Sequence, residues 1–123
     1  MSISDYLENK ILDKVLSATD FTVTTVYVSL HTADPGETGG NEVSGGSYAR
    51  QSASFGSASA GTASNSATLS FTDMPAATIT HVGLWDASTA GNFLWGGALT
   101  ASKTTNAGDT FQIAAGDLDV SLD

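Results

Sequence analysis

A chain of 123 residues carries a formal net charge of −9, with four Lys and Arg residues against 13 Asp and Glu, and has no cysteine. Phosphate backbones and anionic lipid surfaces are bound by clusters of Lys and Arg, so this charge balance argues against nucleic acid and membranes as partners. The lack of cysteine excludes disulfides, thiolate zinc sites and cysteine nucleophiles.

The length predicts a single domain over residues 1–123. Charged residues make up only 14% of the chain, below the usual quarter or so, and the surface is therefore expected to consist largely of Ser, Thr, Asn and Gly. The N-terminus lacks the basic and apolar regions of a signal peptide, and no apolar run is long enough to cross a bilayer. We therefore expect synthesis in the cytoplasm.

Residues 4–17 have the pattern of the only convincing helix. Ser4 is a candidate N-cap, and Asp5 and Glu8 place negative charge in the first turn, where it suits the helix dipole. The apolar side chains recur at helical spacing on one face: Leu7, Ile11, Leu12, Val15 and Leu16. That face either packs on its own domain or docks onto a neighbouring subunit, and we expect it to do part of each.

From Thr22 onward the pattern alternates with period two, which predicts strands. Val26, Val28 and Leu30 point to one face of the first strand, and the intervening Tyr27, Ser29 and His31 point to the other. A turn at Asp34-Pro35-Gly36 opens a glycine-rich loop over residues 34–47, whose only apolar anchor is Val43. We expect this loop to face solvent or a subunit contact.

A second strand is predicted over residues 48–55, and it contains the only arginine, Arg50, next to Tyr48. The planar fork of this side chain suits a fixed carboxylate or a subunit contact, although an ordinary surface ion pair is the simpler interpretation. Residues 56–66 are low in complexity and read as a loop with a weak edge strand.

The remaining strands are predicted over residues 67–71, 79–86, 93–99, 110–114 and 118–122. The segments 79–86 and 93–99 form a natural hairpin, and Trp85 and Trp95, one on each arm, are expected to pack against glycines in the core. With seven or eight strands, the predicted fold is mainly β. It is an antiparallel β-sandwich, jelly-roll-like, over about residues 22–123, with one N-terminal α-helix over about residues 4–17.

No constellation points to catalysis, a metal or a cofactor. His31 and Asp34 lie near each other but read as a strand end and a turn cap, and His81 lies far away in the sequence. No serine sits in a Gly-x-Ser-x-Gly elbow. The polar side chains of the last strand alternate along one face, where a solvated edge is a simpler interpretation than a calcium site: Asp117, Asp119, Ser121 and Asp123. The chain is therefore not expected to be an enzyme.

Five segments carry a resemblance that spans nearly the whole chain: SISDYLENKILD, VYVSLHTADPG, NEVSGGSYARQ, HVGLWDA and GDTFQIAAGDLDVSLD. Together they resemble a family of small virion structural proteins of tailed bacteriophages, the siphophages, commonly labelled tail fibre proteins. Related small β-sandwich proteins serve as capsid decoration, or cement, proteins. The shared motifs are turns and strand edges, and the resemblance supplies no catalytic residues.

The resemblance implies a bacteriophage virion structural protein. The leading hypothesis is a capsid decoration protein on the virion exterior, a homotrimer that binds the major capsid protein. The alternative is a tail fibre or tail-tip component, bound to tail proteins, in which Tyr48 or Trp95 meets host surface glycans. An exterior location is expected because the net charge disfavours contact with packaged DNA. The candidate partner-binding residues are Leu7, Ile11, Val15, Tyr48 and Arg50.

Overall fold

The computed structural model describes residues 2–122, which form one helix and nine strands. In chain order these are β1 (Ser2–Ile3), α1 (Asp5–Leu16), β2 (Val26–His31), β3 (Gln51–Ala53), β4 (Thr62–Ser64), β5 (Leu69–Met74), β6 (Ala77–Trp85), β7 (Phe93–Thr105), β8 (Asp109–Ile113) and β9 (Asp119–Ser121). The predicted antiparallel β-sandwich with an N-terminal helix is confirmed. Asp123, predicted to follow the last strand, lies outside the described residues.

One layer is a five-stranded antiparallel sheet in the order β1-β7-β6-β2-β3, and the opposing strands form two separate pairs, β4-β9 and β5-β8. The predicted hairpin is confirmed as β6 and β7. The main core lies between the layers and contains the buried side chains of Val28, Leu30, Val43, Leu69, Phe71, Met74, Ile79, Val82, Leu84, Leu94, Trp95, Phe111 and Leu118. Burial of this apolar surface is the principal force that holds the layers together.

Both faces of β2 are covered, contrary to the one-sided pattern of its sequence. Ser29 and His31 are 0% exposed, because the loop over residues 34–47 folds back over the outer face of the sheet. Pro35 and Gly39 of this loop are buried, and a Cβ on Gly39 would lie 2.3 Å from the Trp85 ring. The expectation that this loop faces solvent or a subunit contact is therefore wrong at Pro35 and Gly39, although most of the loop is exposed. At position 39, glycine allows a close approach to the ring that no other residue could make.

A β-bulge in the hairpin separates the large aromatic residues onto two faces. Leu84 pairs with Trp95, whereas the next residue, Trp85, pairs with Phe93, so that β7 carries one extra residue at Leu94. The inserted residue breaks the alternation of side chains. Trp95 consequently lies in the main core, while Trp85 and Phe93 pack edge to face on the outer side, with ring centroids 5.2 Å apart.

The expected packing of both tryptophans against glycines is confirmed. The Trp85 ring lies against Gly39, and the Trp95 ring lies within 2.5 Å of where a Cβ on Gly97 would be. Large planar rings bury much apolar area in a small domain when the facing backbone can approach closely. These contacts explain why two of the chain's glycines lie opposite its two tryptophans.

The residue that caps the N-terminus of α1, Ser4, fixes the helix to the sheet. The predicted cap is confirmed, since the buried Ser4 Oγ accepts a hydrogen bond from the Leu7 N–H at 3.2 Å and donates one to the Phe93 carbonyl at 2.6 Å. The Ser4 N–H also donates to the Leu94 carbonyl at 2.9 Å. Ser4 therefore provides an acceptor for an N–H group at the helix N-terminus that has no partner within the helix, and it also attaches this end of the helix to β7.

Candidate interaction surfaces

The second half of α1 presents an apolar surface to solvent. Leu12 is 54% exposed, Val15 is 71% exposed and Leu16 is 76% exposed. Leu7 packs against the core and Ile11 is half-buried. Of the three helix residues predicted to bind a partner, the structure thus engages Leu7 with its own domain and leaves Val15 free for contact.

The other two candidates, Tyr48 and Arg50, form a closed cluster with Glu42. The Arg50 Nε donates to Glu42 Oε2 and Nη2 donates to Oε1, both at 3.0 Å. The Tyr48 hydroxyl donates to Glu42 Oε2 at 2.8 Å and accepts from the Leu30 N–H at 2.9 Å. The arginine therefore binds a fixed carboxylate in a bidentate pair, one of the two roles that the sequence suggested for it.

The Arg50 guanidinium is enclosed on its remaining sides as well. Its Nη1 donates to the Ala87 and Ala90 carbonyls at 3.1 and 2.8 Å, and its Cζ lies 3.6 Å from the centroid of the Trp85 ring. Only 9% of the side chain is exposed. Arg50 thus links the β6–β7 loop and the Glu42 loop to the sheet, and four of its five N–H groups are bound inside the molecule.

Burial governs the protonation of Tyr48. Desolvation raises the pKa of the Tyr48 phenol far above its ordinary value, with the neighbouring Glu42 carboxylate acting in the same direction. The hydroxyl therefore stays protonated and donates to Glu42 at any physiological pH. The pairing of β2 with β3 ends at Val28. Two residues further on, the Leu30 N–H donates to the Tyr48 hydroxyl and not to a strand carbonyl.

A second polar network lies under the loop. His31 Nδ1 is 2.8 Å from the Gly40 carbonyl and Nε2 is 2.6 Å from Ser29 Oγ, which accepts from the Trp85 indole N–H at 2.8 Å. In a neutral His31 with its proton on Nδ1, this nitrogen donates to the Gly40 carbonyl and Nε2 accepts from the Ser29 hydroxyl, so that every polar group of the network has a partner. The serine–histidine pair has the spacing of a nucleophile and a base, but both side chains are completely buried.

Glycan contact through the predicted aromatic side chains finds no support in this geometry. Trp95 is 3% exposed, and its indole N–H donates to the Ser121 carbonyl at 3.2 Å. The Tyr48 hydroxyl is bound as described, and its ring stacks on Phe71 at 6.2 Å. Trp95 is therefore closed to a sugar, while the Tyr48 ring is half-buried and covered by Phe71 on one face.

Across residues 2–122, no three or more His, Cys, Asp or Glu side chains gather in a way that would hold a metal ion. Over the same residues, no helix has the length and apolar character required to span a membrane.

One buried polar residue that organises the end of the sandwich, Asn65, was not predicted from the sequence. Its Oδ1 accepts from the Gly116 and Leu118 N–H groups, and its Nδ2 donates to the Ala67 and Ala114 carbonyls. It lies within the low-complexity stretch over residues 56–66, where one asparagine among serines and alanines has no distinguishing pattern. Only the fold brings its four partners together.

Comparison with known proteins places the chain in a family. No curated protein matches it significantly. The family model described as podophage GP4 fiber I protein gp80 matches residues 2–121, almost the full length. This match confirms the resemblance to phage structural proteins of the fibre class, and it names a podophage rather than a siphophage family. The chain belongs to the podophage GP4 fiber I protein gp80 family.

Proposed function

We propose that this protein is a non-enzymatic structural subunit of a phage fibre, and that it assembles with copies of itself through the exposed half of α1. The observation that carries the proposal is the apolar surface formed by Leu12, Val15 and Leu16 on a helix whose other end is fixed to the sheet. Large apolar side chains that are contiguous and exposed are characteristic of interaction surfaces.

A homotrimer is the assembly that we propose. Three equivalent helices brought together around an axis would bury their apolar halves in a closed cyclic arrangement, which limits the assembly to a fixed number of copies. The two nearest cations of the helix are already engaged, because Lys14 pairs with Asp20 at 3.1 Å and Lys10 lies over the Tyr6 ring at 5.5 Å. The contact between copies would therefore be mainly apolar.

The fibre family supports this placement at least as well as capsid decoration, which the sequence had favoured. Decoration of the outer shell, with the major capsid protein as partner, belongs to the same broad class of phage structural protein, and no structural feature of the chain favours it specifically. Both functions place the protein on the exterior of the virion. Gold labelling of intact particles separates them, because a fibre subunit is labelled at the tail and a decoration protein over the head.

The assembly is tested by sedimentation of the purified protein. Val15→Asp and Leu16→Asp together place two charges on the exposed surface, and we expect the oligomer to dissociate into folded monomers. Lys14→Glu, at an exposed position on the opposite side of the same helix, makes the same total charge change away from this surface and should leave the oligomer intact. A wild-type protein that sediments as a monomer at all concentrations would contradict the proposal.

A further inference from the structure

Residues 34–40 form a cover segment that lies on the outer face of the five-stranded sheet and buries little surface. Only Pro35 and Gly39 of these residues are buried. Pro35 lies against Gly96, where a Cβ would be 2.7 Å from Pro35 Cγ, and Gly39 lies against the Trp85 ring. Segments with few buried contacts separate from a fold at a lower free energy than its core strands do. The cover segment is therefore the part of this face that can open first.

Hydrogen bonds within the cover segment and at its base hold its shape. The Gly40 N–H donates to the Pro35 carbonyl at 2.8 Å, and the Gly36 N–H donates to the Asp34 carboxylate at 2.8 Å. Asn41 Nδ2 donates to the Asp34 carbonyl at 3.1 Å. These bonds do not involve the sheet, so the segment can move away from it as one unit.

In the described chain, two hydrogen bonds join the cover segment to the sheet and to the helix. The Gly40 carbonyl accepts from His31 Nδ1 of β2 at 2.8 Å. The Glu37 carboxylate accepts from the Asp5 N–H at the N-terminus of α1, also at 2.8 Å, where a negative charge suits the helix dipole. The cover segment therefore connects a buried titratable side chain with one end of the helix.

The hydrogen bonds of His31 are arranged for its neutral form. Nε2 accepts from the Ser29 hydroxyl at 2.6 Å, and Ser29 Oγ accepts from the Trp85 indole N–H at 2.8 Å. A second proton on Nε2 would make this nitrogen a donor. The Ser29 oxygen would then face two donors, and its own hydrogen would lose its acceptor. Because His31 is completely buried, water cannot supply the missing partner while the cover segment is in place.

Burial outweighs the charges around the imidazole. The carbonyl bound to Nδ1 and the Glu42 carboxylate favour protonation, whereas Arg50, just before β3, and His81 on β6 disfavour it. β7 supplies the uncharged ring of Phe93 at a centroid distance of 6.2 Å, and both carboxylates of the cover segment are bound to backbone N–H groups. Desolvation is the largest effect, and it holds the pKa of His31 below its ordinary value.

We propose that the cover segment is a flap released by acid: it opens when His31 takes up a second proton, uncovers the rings of Trp85 and Phe93, and withdraws Glu37 from the N-terminus of α1. In the open state the charged imidazole is hydrated, whereas the closed state leaves its charge buried. Proton uptake therefore favours the open state, and loss of the proton restores the closed one. The flap is a property of each subunit and does not require assembly through α1.

Hydrogen exchange of the two indole N–H groups tests the flap in the wild-type protein. The Trp85 N–H lies beneath the cover segment, and the Trp95 N–H lies in the main core and donates to the Ser121 carbonyl. After correction for the intrinsic exchange rate, the protection of Trp85 should be constant above about pH 6.5. Below that pH it should fall by at most about tenfold per pH unit, the limit for one proton.

Low concentrations of urea separate opening of the flap from unfolding of the whole domain. Local opening exposes little surface, so exchange at Trp85 should hardly respond to urea, whereas exchange at Trp95 should accelerate steeply. Equal urea dependence at the two rings would show that Trp85 exchanges only through global unfolding and would overturn the proposal. Protection of Trp85 that does not change between pH 7.5 and pH 5 would overturn it as well.

Two pairs of variants assign the effect to named side chains. His31→Gln should abolish the pH dependence of Trp85 protection, and His81→Gln, on the opposing strand, should retain it. Glu37→Ala removes the bond to α1 and should lower Trp85 protection at every pH without a change at Trp95. Glu8→Ala removes the same charge from the first turn of the helix and should have no such effect.

The second pair keeps the test decisive if His31→Gln does not fold, because both of its variants retain the histidine. Equal protection of Trp85 in Glu37→Ala and Glu8→Ala would overturn the connection between the flap and the helix. A pH dependence that persists in His31→Gln, or that disappears in His81→Gln, would assign the proton to another group. None of these readouts depends on the sedimentation of the Val15 and Leu16 variants.

Discussion

His31 and His81 lie directly opposite each other on β2 and β6, although they are far apart in the sequence. Their environments differ, since His31 is completely buried and His81 is only half-buried, with Nδ1 2.8 Å from the hydroxyl of Thr80. Two opposed histidines are a familiar start for a metal site, but no third ligand joins them within residues 2–122. The pair instead lies on the outer face of the sheet, where the loop over residues 34–47 covers His31.

The stability of the protein is expected to fall in mild acid because of His31. Burial lowers the pKa of His31 below its ordinary value, an effect that outweighs the opposing influences of the Gly40 carbonyl and Glu42, while Arg50 and His81 lower the pKa further. The unfolded chain therefore takes up this proton at a higher pH than the folded protein. The free energy of unfolding should be greatest above about pH 6.5 and decrease below it, by at most about 1.4 kcal/mol per pH unit for one proton.

Urea denaturation of the wild type and of His31→Gln at pH 7.5 and pH 5 measures this effect. Carboxylates titrate in both proteins, so the difference between their pH dependences isolates His31. The variant is expected to be less stable at pH 7.5 but to lose less stability on acidification. Parallel pH profiles for the two proteins would show that His31 does not carry the acid sensitivity.

Arg50→Ala should cost about 3 kcal/mol of unfolding free energy, because it leaves the Glu42 carboxylate and two loop carbonyls without their cation. Arg50→Lys keeps the charge but cannot reproduce the bidentate pair or the stacking on Trp85, and it should also destabilise the fold, although less. Lys14→Ala removes the exposed ion pair with Asp20 and should change stability little. Chemical denaturation measures all three, and an equal effect for Arg50→Ala and Lys14→Ala would contradict the structural role of the cluster.

The period-two pattern predicted most of the strands, since alternation along β2, β6 and β7 reflects the pleat itself. It did not predict β1, the short extent of β3 or the continuation of β7 to Thr105. It failed where a non-local contact decides which side is buried. Ser29 and His31 read as an outward face because nothing local shows that Gly39 returns to cover Trp85. The bulge at Leu94 likewise depends on the pairing partner of β7.

The candidate site was predictable only in part for a related reason. The apolar stripe of α1 is a local property, and its spacing identified Val15 correctly as a residue of one face. How far the stripe is covered depends on where the sheet ends beneath it, which leaves Leu7 against the core and Val15 exposed. Arg50 was a candidate because it is the only arginine. Its carboxylate partner, Glu42, could not be predicted, because it lies in a loop whose conformation is not reflected in any periodic pattern of the sequence.

Gly39→Ala is expected to be strongly destabilising through two separable effects. Its φ of +76° is unfavourable for a residue with a side chain, and the new Cβ would lie 2.3 Å from a Trp85 ring carbon. The ring cannot easily move, because Ser29 and Arg50 hold it from two sides. The backbone conformation should cost about 1–2 kcal/mol and the overlap about 1–3 kcal/mol more.

Gly36→Ala provides the matched control for this substitution. Gly36 lies in the same loop with a φ of +64°, and a Cβ there would meet nothing within 4 Å. It should therefore show the backbone cost alone. Thermal or urea denaturation of both variants measures their free energies of unfolding, and the difference between them gives the contribution of the Trp85 contact. Equal destabilisation would show that the loop can move away from the ring at no cost.

Asn65 should be among the least replaceable polar residues of the fold. It is 3% exposed, and its amide uses both donor hydrogens and accepts twice. Asn65→Ala would leave the buried Leu118 N–H without its acceptor, and the loss should be about 3 kcal/mol. A fall of less than 1 kcal/mol in the free energy of unfolding would show that the turn before β9 is held by other contacts.

Asn65→Asp tests the donor half of this network separately and with a defined pH dependence. The carboxylate still accepts from the Gly116 and Leu118 N–H groups but faces the Ala67 and Ala114 carbonyls with an oxygen in place of the amide nitrogen. Burial and these carbonyls disfavour the charged form, so the pKa of the new carboxyl is expected to rise on folding. The folded variant then binds more protons than its unfolded chain, and acidification from pH 7 to pH 5 should reduce the stability gap to the wild type, because the protonated acid can again donate one hydrogen bond. A gap that stays constant over this range would show that folding does not raise the pKa of the new carboxyl, and would contradict its burial against the two carbonyls.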